Sequence, residues 1–135
     1  MSFRFLDHTA DVQVECSAGT FEELLRTASD ALYTIALKGR LDGKSLDGRV
    51  FIHGESREEL LVRWLQELLF LLDTEAFVAT DIDFSTVTDK EVVAAVHGYA
   101  CNREDRAEEI KSATYHDLHV EERPEGLVAK IIFDL

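Results

Sequence analysis

The sequence holds one proline in 135 residues, two cysteines, one tryptophan and 14 basic residues against 27 acidic ones. Each shortage excludes something. With so little proline, the chain fits a single compact domain with a real core that needs no disulfide or metal staples. Cys16 and Cys101 lie far apart and form no C-x-x-C pair, which removes zinc-ribbon and redox motifs. Both read as small core residues of a reducing compartment. The longest apolar run, LLFLL at 68–72, is too short to span a bilayer. No basic segment leading into an apolar stretch opens the sequence, so a soluble, cytoplasmic protein with no membrane partner is expected. A net charge of −13 without a local basic patch repels phosphate backbones, and direct nucleic-acid binding is not expected. Gly-rich phosphate loops, G-x-S-x-G elbows, H-E-x-x-H and EF-hand patterns are all missing, which argues against a self-contained enzyme.

What is present is a hydrophobic content of 46%, enough for one domain over 1–135 with its own core. From residue 12 the chain alternates, with Val12, Val14, Cys16 and Ala18 on one face and Asp11, Gln13, Glu15 and Ser17 on the other, which predicts a half-buried strand. TFEELL then offers Thr20 and Glu23 as a capping box, followed by an apolar stripe from Phe21 to Ala36 at helical spacing. A strand at 50–52, Gly54 and SREELL repeat the plan, with Ser56 and Glu59 as the second box and Leu60, Leu61, Trp64, Leu65, Leu68, Leu69 and Leu72 as its stripe. The shared EELL is consistent either with a duplicated strand-helix unit or with convergence on a good helix start. The run at 68–72 exceeds one stripe, so Phe70 or Leu71 is either core or a partner surface. Strands are expected at 78–84, 92–97, 113–121 and 127–133, the last two joined as a hairpin by RPEG. Two helices packed on a mixed sheet of about six strands define an α+β class.

Chemistry concentrates at the two ends. LDHTAD brings Asp7, His8 and Asp11 within a few residues, and one Asp or Thr bonding its own backbone in a turn explains only part of it. The closing strand alternates Leu127, Ala129, Ile131 and Phe133 against Val128, Lys130, Ile132 and Asp134. Asp134 is thus off the core face, next to Leu135 and its α-carboxylate. Hard cations need several converging anionic oxygens, and Asp11, Asp134 and the Leu135 carboxylate would supply them if their strands run antiparallel side by side. Simple solvation of acids at strand ends is the alternative. Lys111 reads by default as a solvated cation, His53 and His97 as ordinary strand residues, and His116 as a satisfied semi-buried histidine rather than a ligand.

Four stretches in order, FLDHTADVQVECSAGTFEELL, LLVRWLQELLFLLDTE, IKSATYHDL and VAKIIFDL, resemble the archease family over essentially the whole chain. The resemblance implies an α+β fold and a role as protein cofactor of the RtcB-type RNA ligase, which joins RNA ends in tRNA splicing and RNA repair. There the accessory protein promotes ligase guanylylation by GTP and restores the enzyme for further turnovers. The family's metal-linked acids fall on Asp11 and Asp134, with the carboxylate of Leu135 adjacent, and its motif lysine falls on Lys111; Asp7 and His8 support the site. The implied cofactor is a divalent ion, Ca²⁺, Mg²⁺ or Mn²⁺. Two positions depart from the family pattern: Tyr99 follows Gly98 where glutamate is common, and Arg106 stands near an expected histidine. A chaperone-like protein-binding module and a metal-dependent phosphohydrolase are the rival readings.

Overall fold

Each helix begins where its capping box stands. The computed structural model describes residues 1–6, 11–39, 43–115 and 117–135. Helix α1 (Phe21–Ala36) starts at Thr20, whose hydroxyl accepts the Glu23 N–H at 3.2 Å while the Glu23 carboxylate accepts the Gly19 N–H at 3.1 Å. Helix α2 (Arg57–Glu75) uses Ser56 and Glu59 in the same way. These bonds satisfy orphan donors of the first turn. The stripes are buried as expected, and Trp64 sits fully inside, its indole N–H donating to Ser29 Oγ at 2.8 Å. Within the run 68–72, Leu68, Leu69 and Leu72 are buried, Leu71 is half-buried and Phe70 is 59% exposed. The surplus of the run is therefore one aromatic ring in solvent.

Eight strands are described: β1 (Ser2–Leu6), β2 (Asp11–Ala18), β3 (Ser45–His53), β4 (Phe77–Val87), β5 (Glu91–Ala100), β6 (Ser112–Thr114), β7 (Val120–Arg123) and β8 (Gly126–Asp134). They form two sheets, one ordered β1-β2-β8-β6 with β7 also paired to β8, the other ordered β3-β5-β4. The class is α+β, as expected, with neighbouring strands antiparallel. The count exceeds six for two local reasons. SFRFL is too short to display a periodicity, yet it pairs along β2. The stretch expected as one strand at 113–121 breaks into β6 and β7 around Asp117, whose φ of 53° turns the chain out of the extended region.

Helix α1 packs chiefly on β2, and α2 reaches β3, β4, β5 and β6. One hydrophobic cluster joins both helices to both sheets. Of the two departures from the family pattern, Tyr99 is accommodated at the surface, whereas Arg106 leaves its Nε buried without a hydrogen-bond partner among the described residues. A Cβ on Gly98 would lie 1.7 Å from the Val78 carbonyl oxygen, so glycine is required there, whereas Tyr99 beside it points outward at 41% exposure and tolerates variation. Arg106 bridges to Leu37 through the backbone and reaches Asp73 of α2 at 3.3 Å. Among the described residues no helix is long and apolar enough to cross a membrane.

Candidate functional site

The first sheet brings the two ends of the sequence together. β2 and β8 pair antiparallel in a register that sets Asp11 directly opposite Asp134. Directly opposed residues of such a ladder have Cα atoms about 4.5–5.5 Å apart. The neighbouring pair, Val12 and Phe133, faces the core, and because side chains alternate, both carboxylates project from the other face. Asp11 is half-buried and Asp134 exposed. On the far side of β8, Ser112 of β6 is opposite Asp134, and the Lys111 N–H donates to the Asp134 carbonyl at 2.8 Å. Leu135 is half-buried against the core cluster, which holds the end of β8 in place. Asp11 and Asp134 thus meet at one end of three adjacent strands, with the Lys111 backbone beside them. Asp7, His8 and His116 lie outside the described residues.

Like charges directly opposite one another destabilise a ladder. Among the described residues neither Asp11 nor Asp134 has an ion-pair partner to offset this. Their oxygens are of the hard type that divalent ions prefer, so the donor set fits such an ion in kind. It does not enclose one. Among the described residues no group of three or more His, Cys, Asp or Glu side chains could hold a metal by itself. Two carboxylates at an open strand end match the Mg²⁺ style of ligation, in which one or two protein carboxylates leave positions for water and phosphate oxygens.

From Asp11 a groove of about 920 Å³ runs over the outer face of the first sheet, past Gln13, Glu15 and Lys130 to Glu121 and Arg123. Two of its acids have ion-pair partners: Glu121 pairs with Arg123 inside the groove at 2.7 Å, and Glu15 with Arg4 of β1 at 3.1 Å. The alternation of β2 and β8 already indicated that Gln13, Glu15 and Lys130 face outward, but only the register shows that they share one surface. A second acidic row crosses the other sheet, where Asp47 and Asp81 flank His97 from either side. The hydrogen bond from His97 Nδ1 to Asp47, aided by the charges of Asp47, Asp81 and Asp83, raises His97 above the ordinary histidine value. Burial pushes the Cys16 thiol up to about 12 and raises Cys101 as well, which disfavours the thiolate form at both.

Residues 3–135 match the model of the Archease protein family (MTH1598/TM1083). The chain belongs to the archease family. It is 34% identical to Protein archease of Archaeoglobus fulgidus, covering 100% of both chains, and 29% identical to that of Pyrococcus furiosus, covering 96% and 95%. Among solved structures, the archease-family fold recurs in protein 1598 of Methanobacterium thermoautotrophicum, with TM-score 0.78, 27% identity and 98% coverage of each chain. It recurs again in a Thermotoga maritima archease described as a possible chaperone, with TM-score 0.71, 24% identity and coverage of 96% and 94%.

Proposed function

We propose that this protein is an accessory factor of an RtcB-type RNA ligase, presenting a divalent ion on Asp11 and Asp134, beside Leu135, to the ligase during guanylylation by GTP. The observation that carries this reading is the direct opposition of Asp11 and Asp134 without a counter-charge among the described residues. A bound divalent ion would supply positive charge for the phosphate oxygens of the nucleotide held by the ligase. The chain's own residues do the positioning. The β2–β8 ladder holds the two carboxylates at a fixed spacing, and the packed Leu135 side chain anchors the strand end that carries Asp134. Lys111, tied to the Asp134 carbonyl through its N–H, can bring an ammonium to a phosphate oxygen but cannot ligate the ion while protonated. With a net charge of −13, the protein acts on the ligase rather than on RNA.

The deciding assay is ligase guanylylation under multiple-turnover conditions, with and without this protein. Stimulation that requires a divalent ion and disappears in Asp11→Ala supports the reading, and equal ligase turnover with and without the protein sinks it. Nucleotide hydrolysis by the purified chain alone would favour the phosphohydrolase instead. The rival reading, a chaperone-like module, has Phe70, 59% exposed on α2, as its testable contact point, although a single exposed aromatic is ordinary on a protein surface. Suppression of client aggregation that Phe70→Ser removes and Asp11→Ala leaves intact would select it.

A further inference from the structure

Among the described residues nothing pairs with either edge of the second sheet, and the two edges are built differently. β4 carries register shifts between Ala79 and Asp81 and between Phe84 and Thr86, and such bulges twist an edge away from the geometry a new strand needs. β3 pairs with β5 from Ser45 to His53 without a shift. It contains neither proline nor lysine, two residues that discourage edge pairing.

Hydrogen bonds beyond the two ends of β3 establish which backbone groups face outward. The Gly54 N–H donates to the Lys90 carbonyl at 2.9 Å and the Ala100 N–H to the Lys44 carbonyl at 2.8 Å. Both bonds continue the β3–β5 register. Because bonded pairs alternate along an antiparallel ladder, Leu46, Gly48, Val50 and Ile52 bond to β5. Asp47, Arg49, Phe51 and His53 therefore turn their N–H and C=O groups to the free edge. The side chains of these four residues are exposed, Phe51 at 64%.

We propose that β3 is the docking edge for a second copy of this chain, pairing antiparallel with its counterpart about a two-fold axis at Val50. Side chains of paired strands must share faces, so a two-fold register has to be centred on a residue. Centred on Val50, Asp47 of one copy faces His53 of the other, and Arg49 faces Phe51. An acid thus meets an imidazole and a guanidinium meets an aromatic ring, each twice, with Asp47 also bonded to His97 and His53 lying 3.1 Å from Glu91 within its own sheet. Centring on Arg49 sets that cation against itself, and centring on Phe51 sets Arg49 against His53. Centring on Gly48 pairs Asp47 with Arg49 but puts two glycines at the middle, where strands gain nothing from packing. The outward row is complementary to itself, which favours a second copy over a foreign strand.

One shared edge buries less than the roughly 800 Å² per partner of a standard interface, so the dimer should be weak, half-formed at a concentration on the order of 100 µM. The test is sedimentation and hydrogen exchange on the full chain from about 1 µM to about 1 mM. The expected result is a monomer–dimer equilibrium in which the Arg49 and Phe51 amides gain protection with concentration. Arg49→Pro removes an outward N–H at an exposed edge position, which a strand tolerates, and should abolish the dimer. Asp47→Lys should weaken it about tenfold by opposing His53, and adding His53→Glu to the same chain should restore it, which the Gly48 register does not predict. A chain that stays monomeric at about 1 mM, a dimer that survives Arg49→Pro, or amide protection that appears only when another protein is added would each overturn the proposal.

Discussion

Across the first sheet, Asp11, Asp134 and Ser112 stand in one row of three adjacent strands; across the second, Asp47, His97 and Asp81 do the same. The second row carries its own cation, since a histidine lies between the two acids and bonds one of them. In the first row acid faces acid, and the third place holds a hydroxyl. Acidic residues alone therefore do not mark a site in a chain with 27 of them. A row without its own counter-charge is the better candidate, because acid opposed to acid is repulsive unless a cation offsets it. The groove supports the same distinction, for its acids Glu15 and Glu121 are paired with arginines and Asp11 is not.

Both rows depend on the shared core, and removing its centre is the most damaging way to break the comparison. Trp64→Ala loses the ring packing against Phe84 of β4 and the bond to Ser29 of α1, and should destabilise the fold by about 3–5 kcal/mol. A urea midpoint that moves by less than the equivalent of about 1 kcal/mol would show that the sheets do not rely on this packing.

Next in size is the contrast between the rows themselves. Asp11→Ala and Asp134→Ala should each lower divalent-ion affinity at least about tenfold in calorimetric titration, while Asp47→Ala and Asp81→Ala leave it unchanged. Without metal, the first pair should leave stability the same or raise it by roughly 0.2–1 kcal/mol, because a like-charge opposition is removed. Loss of ion binding in the second pair would erase the distinction.

A transplant sharpens it further. Asp134→His gives the first sheet an imidazole beside Asp11, in imitation of the second. Stability at about pH 5 should then exceed that of the unmodified chain by roughly 0.5 kcal/mol and fall back as the imidazole deprotonates. Ca²⁺ and Mg²⁺ binding should be weakened at every pH, since a hard ion gains little from an imidazole nitrogen in place of a carboxylate.

The smallest effect concerns His97. Its value is raised in the folded chain, so the stability it contributes is complete below the ordinary histidine value of about 6.5 and is lost as pH rises through the raised one. The gap in urea midpoint between the unmodified chain and His97→Gln should therefore be widest at about pH 5 and close by about pH 9. Because the ring is at the surface, solvent screens the interaction and the change is small. A gap that stays constant or widens with pH would mean that the Asp47 bond is not what the fold gains from this residue.

Much of this could be read from residue order. Thr20 with Glu23 and Ser56 with Glu59 mark both helix starts because capping is a contact within one turn. The alternation of β2 and β8 marks Asp11 and Asp134 as off-core because side chains in a strand have a period of two. The break between β6 and β7 was hidden, since Asp117 adopts a left-handed conformation that aspartate takes only in some contexts. So was β1, whose five residues are too few to show a pattern.

Local physics alone determined the class, the helices and their buried stripes, the outward direction of each candidate acid and the acidic character of the whole surface. Tertiary structure decided that the strands form two sheets, that Asp11 meets Asp134 while His97 comes between Asp47 and Asp81, and that β3 keeps a straight free edge. Pairing and register between strands remote in sequence depend on how the helices fill one core and on the length of the turns between. A step of one residue would turn every side chain to the opposite face, and nothing within either strand names its neighbour.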